Sequence, residues 1–385
     1  MAGVLAPPAA AATNCSFNLL TRSVSVEVQG DPTPTDEGVS TIALDGNLIT
    51  VNGSTCTFLV IPATVLNTDT IVVTGSSGHE QVRLFPGLAS AGILVEVDLA
   101  EQPTTAPQYV RLEGTDGPDL MIVGAPGADQ DGDGDVDVTI AETTSWLPLT
   151  GDGDDVVTGQ GFDVAPGQCG AGTGGATERR MYILAGPGND TLIGGLSADN
   201  LLGGPGDDYL DGCEGANTAR YDNANPEADG VTGVTVNLVA GSTTGGDGND
   251  TLVNIVHVLG SQFNDTLSGD GGNNTLEGLG GCDSIDGGDG TDRVSYNNAP
   301  GPVEVDLRFQ SAMTPDCDLE EFGSIESALG SHFDDTIIGD DGPNSLQGLS
   351  GIDILIGLDG NDALHGGDGN DAVGGGAGDD IIWPG

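Results

Sequence analysis

The chain has 385 residues, of which 60 are acidic and eight are arginine, with no lysine, so its net charge is −52 at pH 7. So acidic a surface argues against nucleic acid and against anionic membranes as partners. Only 4% of the residues are aromatic, so the core is thin for this length, and the absence of any run of 18 apolar residues argues against insertion in a membrane.

The first twelve residues, MAGVLAPPAAAA, end in an Ala-rich A-x-A pattern like the tail of a secretory signal peptide, although a basic start is missing. We interpret residues 1–12 as a signal-peptide remnant; a disordered leader is the alternative. The even number of cysteines, six, suits an oxidising compartment. We therefore expect an extracellular protein, either secreted or held at the cell surface.

Residues 13–149 contain short alternating segments that are typical of β-strands. They begin at Ser23, Ser40, Asn47, Asp69, Gly92 and Asp119, and residues that favour turns separate them. This pattern predicts a β-rich N-terminal region. It is either a degenerate solenoid or a small β-sandwich cap.

One acidic loop, GADQDGDGDVDV from Gly127, stands out in this region. Its spacing resembles the D-x-D-x-D-G-x-x-D calcium loops of integrin-type β-propellers. It does not fit an EF-hand, because Ile140 occupies the position that requires a bidentate glutamate. The loop is either a separate calcium site or a solvated acidic turn; its candidate ligands are Asp129, Asp131, Asp133 and Asp137.

From residue 150 to the end, fifteen nine-residue segments fit the template Gly-Gly-x-Gly-x-Asp-x-aliphatic-x, as in GGPGDDYLD from Gly203. Position eight is always aliphatic, while its neighbours are mostly polar or mixed, which predicts a strand with position eight pointing inward. Strands this short must stack on one another to form a core. The runs of these nonads start at 185, 194 and 203; at 260, 269, 278 and 287; and at 330, 339, 348, 357, 366 and 375, with isolated copies at 150 and 245.

Position six of the nonads carries thirteen aspartates and two asparagines. Stacking places these carboxylates roughly 4.8 Å apart, where they repel unless a cation lies between them. Oxygen ligands favour calcium over zinc or copper. A solvated Asx turn is the simpler alternative for any single loop, but fifteen copies in one phase favour calcium ligands at Asp155, Asp190, Asp199, Asp208, Asp250, Asp265, Asp283, Asp292, Asp335, Asp353, Asp362, Asp371 and Asp380, with weaker loops at Asn274 and Asn344.

The segments GGDGNDTLV from Gly245, GLDGNDALH from Gly357 and GGDGNDAVG from Gly366 resemble the RTX, or haemolysin-type calcium-binding, repeat family of bacterial proteins. The resemblance implies an all-β, right-handed parallel β-roll with two nonads per coil. Each calcium ion would lie between loops two nonads apart, so that a run of n nonads offers n minus 2 sites, about seven in this chain. Members exported through the one-step channel are generally poor in cysteine, so the six cysteines favour the general secretory route here.

A larger duplication includes the nonads, because LGSQFNDTL from Leu259 matches LGSHFDDTI from Leu329 after 70 residues. Its two copies span about residues 219–295 and 294–374, and each holds a pair of irregular alternating segments ahead of its nonads. We interpret the irregular segments as interrupted coils of one β-roll, which predicts a single domain over residues 150–385.

The cysteine positions suggest three local pairs: Cys15 with Cys56, Cys169 with Cys213, and Cys282 with Cys317. Fifteen connectivities are possible for six cysteines, and free buried thiols are the alternative. Neither a CxxC motif nor a Cys and His cluster with zinc spacing occurs.

Catalytic motifs are not found, since neither HExxH nor GxSxG is present and the four histidines are scattered. We expect a calcium-binding repeat protein that folds with calcium outside the cell, not an enzyme. Two alternatives stay open: a surface adhesin or matrix component with a cell-surface or glycan partner of unknown identity, and the accessory repeat region of a hydrolase or epimerase.

Overall fold

The structure is a computed structural model that describes residues 150–159, 169, 176–177, 180–226 and 230–385 in full. Between residues 14 and 149 it describes the backbone of the strands, together with the side chains of Leu112, Met121 and residues 146–149. Every regular element among these residues is a strand, which confirms the all-β prediction. No helix in the described part of the chain is long and apolar enough to cross a membrane.

The first of two units comprises residues 1–203 and 213–215. All six strands predicted before residue 150 are present in it. Its strands are β1 (Asn14–Asn18), β2 (Ser23–Val28), β3 (Val39–Asp45), β4 (Leu48–Val51), β5 (Ser54–Thr55), β6 (Thr57–Phe58), β7 (Ile61–Pro62), β8 (Thr70–Gly75), β9 (Gln81–Leu84), β10 (Leu94–Asp98), β11 (Tyr109–Glu113), β12 (Leu120–Gly124), β13 (Gly127–Asp129), β14 (Val138–Ile140), β15 (Ser145–Leu149), β16 (Val156–Thr158), β17 (Tyr182–Leu184), β18 (Thr191–Ile193) and β19 (Asn200–Leu202).

Two parallel ladders run through this unit. One joins β2, β8, β10 and β14, and the other joins β3, β9, β11, β15, β17 and β19. Parallel pairing also stacks Met121 of β12 on Val157 of β16, and Val157 on Leu192 of β18. Residues 114–122, GTDGPDLMI, fit the nonad template in part, with Met121 at position eight. The stacking of inward residues therefore begins ahead of the first regular repeat.

The second unit comprises residues 204–212 and 216–385. Its strands are β20 (Tyr209–Asp211), β21 (Thr218–Arg220), β22 (Thr232–Asn237), β23 (Ser242–Gly245), β24 (Thr251–Val253), β25 (His257–Leu259), β26 (Asn264–Ser268), β27 (Thr275–Glu277), β28 (Ser284–Asp286), β29 (Arg293–Ser295), β30 (Glu304–Asp306), β31 (Ser311–Met313), β32 (Glu320–Gly323), β33 (Ser327–Leu329), β34 (Thr336–Ile338), β35 (Ser345–Ser350), β36 (Ile354–Asp359), β37 (Ala363–Asp368), β38 (Ala372–Ala377) and β39 (Ile381–Trp383).

Successive nonads alternate between two parallel sheets, so each coil contains two of them. Leu267 of β26 stacks on Ile285 of β28 in one sheet, and Leu276 of β27 stacks on Val294 of β29 in the other. Both pairs are 18 residues apart. This register is the two-nonad coil of a parallel β-roll and confirms the predicted fold.

The core is one aliphatic residue wide in each layer. Thirteen of the fifteen position-eight side chains are at most 5% exposed, from Val157 to Leu364. Burying each such side chain contributes roughly 1.5–3 kcal/mol. The exceptions lie at the C-terminal end of the roll, where Val373 is half-buried and Ile382 is 41% exposed.

The irregular parts of the duplication are three-stranded meanders inserted into one sheet. In the first copy β24 pairs in parallel with β20, β23 lies antiparallel between β24 and β22, and β22 pairs in parallel with β26. Strands β30, β31 and β32 repeat this arrangement between β28 and β34. The other sheet continues past each meander without extra strands, from β21 to β25 and from β29 to β33.

Candidate calcium-binding loops

The backbone is left-handed at position two in the nonads that start at 278, 287, 348, 357, 366 and 375. Gly367 has φ of 109° there, and at position four Gly369 has φ of 155°. Where leucine replaces the template glycine at position two, it keeps the left-handed conformation, with φ of 76° at Leu279, 82° at Leu349 and 80° at Leu358. The loop shape is therefore set by the stacking of the coils, and glycine is the residue that adopts it without strain.

The position-six side chains of the nonads point into the protein. Eleven of the thirteen aspartates, from Asp155 to Asp362, are at most 4% exposed, and Asn274 and Asn344 are equally buried. Asp371 and Asp380, in the last coil, are half-buried. Eleven of the predicted ligands are thus buried within their coils, and a solvated turn does not describe these eleven.

One oxygen of each carboxylate joins neighbouring coils. The backbone N–H of the position-six residue donates to Oδ1 of the aspartate one coil later, as from Asp335 to Asp353 (2.9 Å) and from Asp353 to Asp371 (2.9 Å). The same bond links Asn344 to Asp362 at 2.9 Å. This ladder fixes the side-chain conformation, because Oδ1 is engaged by a group that only the adjacent coil can supply.

The second polar atom at the end of the position-six side chain divides the nonads that start between 260 and 366 into two classes. In the leading nonads, which start at 260, 269, 330 and 339, protein groups satisfy it. Oδ2 of Asp265 accepts the backbone N–H of Ser261 at 2.5 Å, and Ser331 serves Asp335 in the same way at 2.5 Å. In the asparagine loops the amide of Asn274 donates from Nδ2 to the carbonyl of Val256 at 2.9 Å.

In the trailing nonads, which start at 278, 287, 348, 357 and 366, the second oxygen is bare. It is buried and has no hydrogen-bond partner at Asp283, Asp292, Asp353, Asp362 and Asp371. Burying a charged oxygen without a partner is costly. A cation at these five positions would remove that cost.

Carbonyl oxygens face the bare carboxylate oxygens across position one of four trailing nonads, those that start at 287, 348, 357 and 366. A Cβ added to Gly357 would meet both Oδ2 of Asp362 and, at 2.5 Å, the carbonyl oxygen of Gly375 in the next coil. At Gly348 it would meet Oδ2 of Asp353 and, at 2.6 Å, the carbonyl oxygen of Gly366. At each of these two glycines a carboxylate oxygen and a carbonyl oxygen approach the same small space. Oxygen ligands of these two kinds fit calcium.

Burial also changes the acidity of the column. It raises the pKa of Asp283 to about 8, that of Asp190 to about 7, and those of Asp199, Asp250 and Asp265 to about 6. The pKa values of Asp353 and Asp362 are raised for the same reason. Without a cation the column would hold protons near neutral pH, so a calcium ion would displace them.

A comparison with protein-family models identifies the repeats. The model of the RTX calcium-binding nonapeptide repeat matches four segments, residues 184–219, 259–294, 329–351 and 347–382. The chain carries RTX calcium-binding repeats. No curated protein matches it. All of the trailing nonads lie within the RTX segments, so calcium is the cation that the family implies for the bare oxygens.

The RTX loops that would hold calcium are those with bare oxygens. A calcium ion there would place positive charge between two coils. Its protein ligands would be Oδ2 of the position-six aspartate and the carbonyl oxygen of the position-one glycine in the next coil, as at Asp362 and Gly375. The RTX run of four contains two bare carboxylates, at Asp283 and Asp292, equal to the n minus 2 sites expected for it, whereas the run of six contains three, at Asp353, Asp362 and Asp371, one fewer than expected. The occupancy of the predicted ligands, from Asp155 to Asp380, remains a prediction.

Two further predictions fall partly outside the described residues. In the acidic loop from Gly127, only the backbone of Asp129 is described, at the end of β13, and Asp131, Asp133 and Asp137 lie outside. Two disulfides are present as predicted: Cys169–Cys213, with Cα atoms 5.6 Å apart, and Cys282–Cys317, with Cα atoms 5.2 Å apart. The side chains of Cys15 and Cys56 are not among those described.

Sequence reasoning missed the serines that separate the leading from the trailing loops. Ser261 and Ser331 stand at position two, where the template has glycine, and each side chain also donates to Oδ1 of its own position-six aspartate at 2.7 Å. The signal was the G-S pair that opens each of these nonads, in GSQFNDTLS and GSHFDDTII. In the sequence alone, serine in place of glycine at position two is a minor deviation from the template. Its importance follows from the hydrogen bonds that the serines donate.

Proposed function

We propose that this chain is an extracellular calcium-binding protein whose RTX coils fold when calcium becomes available after export. The observation that carries the proposal is the set of bare, buried Oδ2 atoms at Asp283, Asp292, Asp353, Asp362 and Asp371. Four of these Oδ2 atoms lie near a backbone carbonyl oxygen, and the fifth, that of Asp283, lies in a loop of the same nonad template. A metal-free roll would have to bury these charges unpaired or protonate them.

Folding and calcium binding are coupled because the ligands of one site come from two coils. The Asp362 carboxylate and the Gly375 carbonyl come together only when their coils are stacked. In the unfolded chain the same groups are separated and solvated, so the free energy of calcium binding adds to the free energy of folding.

The net charge of −52 strengthens this coupling. Self-repulsion expands an acidic chain and opposes the compact state. About seven calcium ions would offset only about 14 of these charges. The proposal therefore assigns calcium to the buried column, where the repulsion is least screened, and leaves the outer surface acidic.

The proposed location outside the cell is supported by calcium supply and by redox chemistry. Extracellular calcium, in the millimolar range, fills sites that cytosolic calcium does not. The disulfides Cys169–Cys213 and Cys282–Cys317 suit an oxidising compartment. Export as an unfolded chain, followed by folding on arrival, is consistent with both.

The proposal assigns binding rather than catalysis to the acidic residues. Oδ1 of each trailing aspartate already accepts a backbone N–H from the neighbouring coil, as Asp353 does from Asp335 at 2.9 Å. A carboxylate held in this way and neutralised by calcium is a poor general acid or base.

A calcium titration followed by far-ultraviolet circular dichroism tests the proposal, with magnesium as the matched control ion. We expect a cooperative gain of β signal at roughly 0.1–1 mM calcium and none with magnesium, which retains its waters and demands octahedral geometry. Full β signal in chelator, unchanged by calcium, would show that the aliphatic column and the disulfides suffice without the ion.

A further inference from the structure

A surface trough lies on the second unit, over the sheet that contains β35, β37 and β39. Its volume is about 460 Å³, which is within the range of roughly 300–1,000 Å³ that small-molecule sites have. Gly367 and Gly385 contribute backbone rather than side chains to its lining. None of the position-six aspartates, all of which are described, lines it. The trough is therefore separate from the candidate calcium loops.

One side of the trough is formed by position three of three successive coils. His332, Ser350 and Asp368 follow one another at intervals of 18 residues, and all three line the trough. Ser350 pairs with Asp368 in the register of β35 and β37. Nδ1 of His332 is hydrogen bonded to Oγ of Ser350 at 2.9 Å. Because each layer adds about 4.8 Å, the backbones of His332 and Asp368 are roughly 10 Å apart.

The other side is formed by position nine. Gln347 and His365 line the trough, and the register of the strands places Trp383 next in the same row. The ring centroids of His365 and Trp383 are 6.1 Å apart. Trp383 is 49% exposed, whereas the chain's other tryptophan, Trp146, is 1% exposed. The trough therefore has at its edge an aromatic surface that solvent reaches.

This combination of side chains belongs to one face of the roll. In the same coils the opposite sheet has Ile338, Ile356 and Gly374 at position nine. Two of the chain's four histidines line the trough, at His332 and His365. Positions three and nine are free in the RTX template, so neither the core nor the candidate calcium loops require these residues.

The trough does not have the geometry of a metal site. Among its described side chains, no three potential metal ligands come close enough together to hold one ion. A ligand that contacts both His332 and Asp368 has to span two coils. The ligand that fits is therefore an organic molecule.

The lining groups suit the hydroxyls of a saccharide. A sugar hydroxyl both donates and accepts hydrogen bonds. The amide of Gln347, the hydroxyl of Ser350 and the carboxylate of Asp368 offer partners of both kinds. The indole of Trp383 adds an apolar face on which the C–H groups of a sugar ring can pack. A few polar groups that converge beside an apolar surface are typical of a small-molecule site.

Charge narrows the class of saccharide. The net charge of −52 repels uronic acids and sulfated sugars. A basic ligand as long as the trough would find one carboxylate, because Asp368 is the single acid among the described lining residues. The other titratable groups there are the imidazoles of His332 and His365, which repel a cation when they are protonated. An uncharged saccharide meets neither obstacle.

We propose that this trough binds an uncharged saccharide, with one sugar ring on the indole of Trp383 and hydroxyl groups hydrogen bonded to Gln347 and Asp368. The proposal goes beyond calcium binding, and it needs calcium only in so far as calcium folds the coils. It gives the chain a glycan-binding face.

Tryptophan fluorescence tests the proposal, because Trp383 is exposed and Trp146 is buried. Full-length, disulfide-intact protein in saturating calcium is titrated with maltose, cellobiose, lactose and N,N′-diacetylchitobiose. Titration to about 10 mM fills roughly 90% of a site whose Kd is about 1 mM. Digalacturonic acid is the charged counterpart. We expect a saturable change in emission with at least one uncharged disaccharide and none with digalacturonic acid.

Isothermal titration calorimetry of the same sugars adds a readout that does not depend on the indole, and variants locate the bound sugar. We expect Gln347→Ala and Asp368→Asn each to raise the Kd roughly tenfold through the loss of a hydrogen-bonding group. Trp383→Ala should abolish the heat of binding. The matched control is Ile356→Ala, which is also exposed at position nine but lies on the opposite sheet, and it should leave the Kd unchanged. Circular dichroism in calcium checks that each variant is folded.

Three results would overturn the proposal. The first is the absence of both a fluorescence change and heat with all four uncharged disaccharides. The second is a Kd that Gln347→Ala, Asp368→Asn and Trp383→Ala leave unchanged, because the sugar would then bind elsewhere. The third is tighter binding of digalacturonic acid than of any uncharged disaccharide. None of these results bears on calcium binding, which the circular dichroism titration with calcium tests separately.

Discussion

The leading and trailing nonads follow one template and present different chemistry at position six. In the leading loops a backbone N–H satisfies the second carboxylate oxygen, as Ser261 does for Asp265 at 2.5 Å. In the trailing loops the corresponding oxygen of Asp353 or Asp362 is buried and bare. A match to the template therefore does not by itself define a calcium site.

The difference follows from what lies beneath each loop. The strand of the leading nonad at 260 stacks on β22, a meander strand, and Asp265 accepts the N–H of Val234 there at 2.7 Å. The trailing nonad at 348 stacks on another nonad, through β34 and β36. Each trailing nonad, unlike the leading nonad at 260, has another nonad in the preceding coil of its sheet.

Calcium removal should have the largest effect, because it leaves every trailing carboxylate unpaired. At a calcium concentration 100 times the Kd, each site adds about 2.7 kcal/mol to the free energy of unfolding. Five trailing sites would together contribute on the order of 10 kcal/mol. Differential scanning calorimetry in calcium and in chelator measures this loss, and equal Tm values in the two conditions would be incompatible with it.

The pH dependence of stability should have opposite signs with and without calcium. In the metal-free protein burial raises the pKa of Asp283 to about 8 and that of Asp190 to about 7, above the value of 3.8 in an unfolded chain. The folded metal-free state therefore binds more protons than the unfolded state, and its stability falls as the pH rises from about 4 until it passes the raised pKa values of about 7 and 8.

In calcium the same carboxylates must lose their protons to bind the ion, so stability should fall as the pH drops below about 6. Urea unfolding at several pH values, with and without chelator, measures both slopes. Parallel slopes in the two conditions would mean that protons and calcium do not compete for the column.

Substitution by asparagine should separate the two classes of loop. Asp353→Asn keeps the Oδ1 acceptor and removes the bare charged oxygen, so we expect a loss of about 1–3 kcal/mol in calcium and none in chelator. Asp265→Asn turns an amide group toward the N–H of Ser261, so we expect a similar loss in both conditions. Denaturant unfolding of each variant with and without calcium measures these losses. If calcium changed the free energy of unfolding of both variants equally, leading and trailing loops would not differ in calcium binding.

Relief of backbone strain should give the smallest effect. Leu358 adopts φ of 80° with a half-buried side chain. Because the left-handed conformation costs a non-glycine residue roughly 1–2 kcal/mol, we expect Leu358→Gly to raise the free energy of unfolding by up to about 1 kcal/mol after the lost packing is subtracted. A lower Tm would show that the side chain, rather than the loop shape, stabilises this position.

Much of the fold could be predicted from the sequence because its signals are local and repeated. The nine-residue period predicts short stacked strands, and the aliphatic residue at position eight predicts the buried column from Val157 to Leu364. The positions of the cysteines suggested the pairing of Cys169 with Cys213 and of Cys282 with Cys317 among the fifteen possible connectivities, and both bonds are present. The meanders could not be predicted as such, since β22 and β23 gain their antiparallel register from the coils on either side.

The candidate site was predicted at the level of residue type but not of individual loops. Aspartate at position six is visible in the sequence. The hydrogen bond from Ser331 to Oδ2 of Asp335, and the lack of a partner for Oδ2 of Asp353, become visible only when the coils are stacked.

The most direct test of the account is a count of bound calcium ions by native mass spectrometry on wild type, Asp362→Asn and Asp265→Asn. The account predicts that Asp362→Asn binds at least one ion fewer than wild type, and that Asp265→Asn binds as many as wild type. Loss of an ion from Asp265→Asn and none from Asp362→Asn would contradict the claim that bare carboxylates, rather than template matches, hold the calcium.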